Sequence, residues 1–282
     1  MNLNAEQKAA VEVTSRHALI LAGPGTGKTT ALVGRYAELL KRDVPPSSIL
    51  CCTFARKAAD ELKGRIKSST GIATSKLPIG TFHSLANRAV KELAPLLGIE
   101  PPTDVLRENI RRKIITEIRD ANEDICKALK FDQKRPSTIL TSIDDFRERL
   151  LSPDNALVEA SESADVILIA HAEIYALYDQ HLTKHKLIDY ARMIQFAVRA
   201  FELDAAGDKS FVSRYGHLLV DEFPDINFAQ KKMLDGLIKG GGALWVVGDD
   251  DQAIYGWRGS SLDYILNFDR YFAEPQIVAL TQ

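Results

Sequence analysis

The chain has 282 residues with 36 Lys and Arg against 38 Asp and Glu, a net charge of −2, and is 45% hydrophobic and 26% charged. That balance is ordinary for a globular protein with one large core or two smaller ones, and it gives no global basic charge from which to argue nucleic-acid binding. No membrane span or basic-then-apolar leader is expected, and three cysteines, two of them adjacent at Cys51 and Cys52, make no disulfide framework, so a reducing cytoplasm is the expected setting.

The first element is a helix from about Leu3 to Val11, with Asn4 as its cap. Gln7 stands three residues later, as in a capping box. Its amide could instead read an adenine edge, since it pairs a donor with an acceptor. Residues 18–21 form a short apolar run that reads as a buried parallel strand. The run leads into A-G-P-G-T-G-K-T-T at 22–30, and helical spacing of apolar residues follows to Leu40. Strand, glycine-rich loop and helix make the context of a phosphate-binding loop. Gly23, Gly25 and Gly27 let the backbone curl around an anion, with Thr26, Thr29 and Thr30 at its rim. Lys28 is placed to reach the β- and γ-phosphates, and the Thr29 hydroxyl to ligate Mg²⁺. Ala22 departs from the pattern's first glycine.

A second strand is expected over 49–54 and a third over 78–83, each followed by a helix. Both end in Thr-Phe pairs, Thr53-Phe54 and Thr81-Phe82, beside Arg56, Lys57 and His83. In a parallel sheet these transitions share the C-terminal edge where ligands bind. Hydroxyls, cations and rings there suit single-stranded nucleic acid, whose phosphates and base faces both need partners; a buried role for the two rings is the plainer alternative. After a linker at 100–103 the pattern turns helical and charged, with amphipathic stretches at 109–119 and 139–151. One long pattern from 165 to 201 is broken near residues 187–189. Arg111, Arg112 and Lys113 read either as a phosphate contact or as a solvated helix face.

Strand patterns return at 216–222, where G-H-L-L-V-D-E ends in two acids. After a phosphate loop this is the Walker B arrangement, with Asp221 for Mg²⁺ and Glu222 as general base. A further strand ends near Asp249, in a turn whose three acids, 249–251, read as solvated. Gln252 is placed to sense a γ-phosphate, and Tyr255 and Trp257 to present aromatic faces. The expected organisation is a parallel-sheet domain from 1–98 and 213–282 with a helical subdomain at 99–212 inserted into it.

Six blocks in order, at 3–7, 22–30, 53–59, 80–83, 220–223 and 248–259, make the sequence similar to the UvrD/Rep-type superfamily 1 DNA helicases. The last block, G-D-D-D-Q-A-I-Y-G-W-R-G, is the most specific. The resemblance implies an α/β, RecA-like P-loop NTPase fold. It implies binding of ATP and Mg²⁺ through Gln7, Gly23, Gly25, Thr26, Gly27, Lys28, Thr29, Thr30, Asp221, Glu222 and Gln252. It also implies contacts to single-stranded DNA, or to a single-strand/duplex junction, at Thr53, Phe54, Arg56, Thr81, Phe82, His83, Tyr255 and Trp257, movement 3′ to 5′, and a coupling role for Arg258. Three departures stand out: Ala55 and Arg56 where the family has Thr-Asn, Pro224 where it has Gln, and a weak D-F-D-D-L match at 189–193. Family members continue with N-Y-R and a second motor domain, so residues 1–282 alone are expected to be inactive in unwinding. The alternatives are a nucleotide-dependent DNA-binding module with negligible turnover and a small-molecule kinase, which would leave the Y-G-W-R block unexplained.

Overall fold

The computed structural model describes residues 2–127, 129–204, 210–249 and 263–281. Among the described residues, six strands make one sheet: β1 His17–Ala22, β2 Ile49–Thr53, β3 Ile79–Thr81, β4 His217–Val220, β5 Ala243–Gly248 and β6 Gln276–Leu280. Their order is β3-β2-β4-β5-β1-β6, and every pairing is parallel. β2 is buried along its whole length and β1 and β5 along nearly all of theirs, which is why they read as continuous apolar runs rather than alternating ones.

The described helices are α1 Ala5–Glu12, α2 Lys28–Lys41, α3 Arg56–Thr70, α4 Phe82–Leu97, α5 Glu108–Ala121, α6 Pro136–Glu148, α7 Pro153–Ser163, α8 Val166–Lys184, α9 Tyr190–Leu203, α10 Phe228–Lys239, α11 Asp263–Leu266 and α12 Phe268–Tyr271. The long helical pattern at 165–201 is two helices, and Asp189 lies in the break between them. No described helix is long and apolar enough to cross a membrane.

The chain divides into two compact units, 1–88 with 201–282, and 89–200. These divisions fall inside α4 and α9, whereas the sequence pattern places the boundaries at 98/99 and 212/213, by a linker and by the return of strand patterns; a helix that continues through a boundary gives neither signal. The first unit has a core of sheet and helix residues such as Ile20, Leu32, Tyr36, Ile49, Leu219 and Val247. The second has its own core, including Ile115, Ile143, Phe146, Tyr175 and Tyr178.

Within the second unit a buried ion cluster binds three helices together. Asp189, fully buried, accepts from Arg147 Nη1 at 2.5 Å and from the Tyr178 hydroxyl at 2.9 Å. Arg111 lies 3.3 Å from the same carboxylate and also pairs with Asp144 and Glu108. Arg111 is therefore neither a phosphate contact nor part of a solvated face. Arg112 and Lys113 do lie on that exposed face, paired with Glu108 and Glu117.

Candidate nucleotide site and sheet edge

The loops that leave β1, β4 and β5 open at one edge, because β5 lies between β1 and β4 in a parallel sheet. The β1–α2 loop turns on two left-handed glycines, Gly25 at φ +79° and Gly27 at φ +89°, a conformation that a side chain would disfavour. Gly27, the N-cap of α2, has no side chain with which to cap the first-turn N–H groups. The positive end of the helix dipole points the same way. Thr26 closes the loop from its other side, its N and Oγ1 donating to the Gly23 carbonyl at 3.4 and 2.8 Å.

Gln7 is brought to this loop. Its Oε1 accepts from Asn4 N at 3.2 Å, completing a capping box, and its Nε2 donates to the Thr26 carbonyl at 3.0 Å. The capping role and a place at the loop are therefore both present, in one amide.

Lys28 Nζ lies 3.6 Å from Asp249 Oδ2, and the Asp249 side chain is only 3% exposed. Asp249 is thus a buried partner of the loop lysine rather than a solvated turn acid. The backbone of Asp221 extends the β4 pairing, its N–H donating to the Cys52 carbonyl at 2.9 Å. Its carboxylate accepts from Glu222 N at 3.1 Å. Burial, and then the neighbouring Glu222, push the Asp221 carboxyl up to about 6, against the opposing pull of the Glu222 N–H, Lys28 and Arg65. Glu222 takes the left-handed conformation at φ +51°, rare for a residue with a side chain, and opens the short turn Phe223–Asp225. In that turn the Pro224 ring occupies the space a Cβ on Gly248 would take, so proline packs the β4 turn against the end of β5.

Arg65 gave little signal in the sequence beyond being a basic residue on a helix from the same sheet edge. It donates from Nη2 to Thr30 Oγ1 at 3.0 Å, and its charge acts on Asp221. The donor set fits a magnesium nucleotide: a glycine-rich turn at a helix N-terminus, one lysine, one hydroxyl at Thr29 and one buried carboxylate. Among the described residues no group of three or more His, Cys, Asp or Glu could hold a metal by itself, and Mg²⁺ ordinarily uses one or two carboxylates plus phosphate oxygens.

The residues expected to meet nucleic acid divide into two sets. Phe54 is 39% exposed at the end of β2, next to exposed Arg56 and Lys57. Phe82 is only 2% exposed and belongs to the interior, so its ring is not presented at the edge. Thr53 and Thr81 are buried and locally bonded. Thr53 Oγ1 donates to Ala55 O at 3.1 Å; Thr81 caps α4, its Oγ1 accepting from Ser84 N at 3.2 Å while its own N–H donates to Ser84 Oγ at 2.8 Å. His83 is half-buried, and burial followed by the charge of Arg56 holds its pKa below the usual imidazole value. Gln252, Tyr255, Trp257 and Arg258 lie outside the described residues.

A family model described as the UvrD/REP helicase N-terminal domain matches residues 3–273. The chain belongs to that family. Its all-parallel sheet and surrounding helices are the RecA-like α/β architecture expected from the sequence. It is 32% identical over 284 residues to the ATP-dependent DNA helicase PcrA of Staphylococcus epidermidis, a match that covers 100% of this chain. It is 31% identical, again over its whole length, to the ATP-dependent DNA helicase PcrA of Staphylococcus aureus. The chain spans 38% of the length of these relatives.

Proposed function

We propose that this chain is the ATP-binding half of a DNA translocase, with nucleotide held at the β1–α2 loop and single-stranded DNA along the same sheet edge. The observation that carries the reading is the convergence of Lys28, Asp221 and Asp249, from three loops, on one glycine cradle. Backbone amides from Gly25 to Thr29 cradle the phosphates, and Lys28 exchanges its Asp249 partner for phosphate oxygens. Thr29 and Asp221 hold Mg²⁺, which when bound neutralises charge on the phosphates. Glu222, half-buried beside Asp221, orients and deprotonates the attacking water. Gln252, by its sequence position, senses the γ-phosphate. Gln7, already seated on the loop, has a second amide hydrogen to offer an adenine.

On the DNA side, Phe54 and Arg56 supply a stacking face and a phosphate contact, with His83 beside them. Tyr255 and Trp257 supply further faces, and Arg258 couples the two sites. Phe82, Thr53 and Thr81 support this edge from within. Movement is 3′ to 5′, as the resemblance implies, and needs a second motor domain to close on the nucleotide. The experiment is nucleotide binding and turnover in Glu222→Gln, with and without single-stranded DNA. The variant should bind Mg-ATP within a few-fold of the parent and lose roughly 10²–10⁴ in whatever turnover the parent shows. Undiminished turnover would remove Glu222 from the chemistry.

A further inference from the structure

We propose that Arg35 is a positioning residue for the phosphate loop, acting through α1 and Gln7; this rests on the nucleotide-binding reading of that loop. A helix leaves its last carbonyls without partners of its own. At the end of α1 these carbonyls are taken by side chains from other elements. Arg35 Nη1 donates to Val11 O and Val13 O, both at 2.8 Å, and Trp245 Nε1 donates to Ala10 O at 2.9 Å. Arg42 Nη2 reaches Glu12 O at 3.3 Å. Arg35 is 6% exposed and Trp245 2%, so the bonds these two make are shielded from water, whereas the Arg42 bond is exposed. The cationic groups also meet the negative end of the α1 dipole.

The contact between α1 and α2 is direct. A Cβ on Gly34 would come within 2.8 Å of Val11 Cγ2 and 3.4 Å of Leu3 Cδ1, so α1 rests on bare α2 backbone beside Arg35. At its other end α1 touches the loop. Gln7 Nε2 is bonded to Thr26 O, and it would lie 2.6 Å from a Cβ on Gly27. α1 is only 8 residues long, too short to hold its shape unaided. Arg35 and Trp245 therefore fix one end of a short rod whose other end sets where Gln7 meets the loop. Arg35 also stands on α2, the helix that the loop opens. Loop and rod are thus referenced to the same element.

The test is a double-mutant cycle in nucleotide affinity, read by calorimetric titration of ADP and ATP into the 282-residue chain below its melting temperature. Arg35→Met keeps much of the stem and removes both hydrogen bonds; Trp245→Phe keeps a ring and removes one. Each is made alone and with Gln7→Ala, with Lys28→Ala as a further arm. Arg35→Met should weaken nucleotide about fivefold to tenfold, and Trp245→Phe about threefold, by sharing a partner chain with Gln7. In the Gln7→Ala background each should cost less than about twofold. A residue that only supports the fold would lower the melting temperature without this dependence on Gln7. Equal losses in both backgrounds, or no loss, would overturn the proposal. If Arg35→Met does not fold, Trp245→Phe decides in the same way. Wild-type affinity in Arg35→Met with none in Lys28→Ala sinks this inference alone; unchanged affinity in Lys28→Ala removes the nucleotide reading and this inference with it.

Discussion

Two phenylalanines at equivalent places in the sequence have opposite fates. Phe54 and Phe82 each follow a threonine at a strand end, yet Phe54 is 39% exposed and Phe82 2%. Phe82→Ala should cost about 3–5 kcal/mol of stability, as for other buried aromatic truncations. Phe54→Ala should leave stability within about 0.5 kcal/mol and weaken single-strand binding by about 1–3 kcal/mol, the worth of one stacked base. Melting curves and fluorescence anisotropy on both variants separate the roles; the reverse pattern would refute the assignment. Asp221 is a second residue whose environment makes a prediction. Burial and Glu222 raise its carboxyl to about 6, so the folded state holds that proton more tightly than the unfolded chain does. Stability therefore falls as pH rises from about 4 to 6 and the charge is forced into place. Asp221→Asn keeps an acceptor for Glu222 N–H and should stabilise the metal-free chain by about 3 kcal/mol above pH 6. The gain should vanish below about pH 4, where both forms are neutral. A gain that persists in acid would locate its origin elsewhere.

At the scale of elements, the phosphate loop was legible because its chemistry is local. Strand, glycines, lysine and helix are contiguous, and the φ values of Gly25 and Gly27 follow from the loop's curl. What was not legible depends on partners distant in sequence. Asp249 read as a solvated acid because nothing nearby reveals that Lys28 reaches it across the sheet edge. Arg65 likewise meets Thr30 only once α2 and α3 pack together. Arg111 looked like one of three equivalent cations, but helical phase buries it and leaves its neighbours outside. Asp189 shows the same limit, since its weak motif match concealed a cluster that holds α5, α6 and α8 together. Burial alone would raise the Asp189 carboxyl, but Arg147 and Arg111 outweigh it and hold it below the usual carboxylate range. Asp189→Asn removes the charge and leaves Arg147 buried against a neutral amide. The loss should be about 3–5 kcal/mol in urea unfolding, the usual consequence of breaking a buried pair. Asp179 also lies 3.1 Å from Arg147, and a loss below about 1 kcal/mol would mean that the cluster re-forms around Asp179 and Asp144.

For the molecule as a whole, the sheet order explains why residues so far apart in sequence serve one edge. The chain crosses from β1 to β2 and β3, enters the helical unit, and returns to lay β4 and β5 between β2 and β1. The return brings Asp221 and Asp249 beside a loop laid down near the start of the chain. On the proposed function, this edge binds a magnesium nucleotide through Lys28. The most direct measurement is calorimetric titration of Mg-ADP and Mg-ATP into the 282-residue chain and into Lys28→Ala, with melting curves to show that both are folded. The parent should bind saturably and the variant should lose at least about 2 kcal/mol, more for ATP than for ADP because the lysine serves the outer phosphates. Equal affinities in two folded proteins would contradict this.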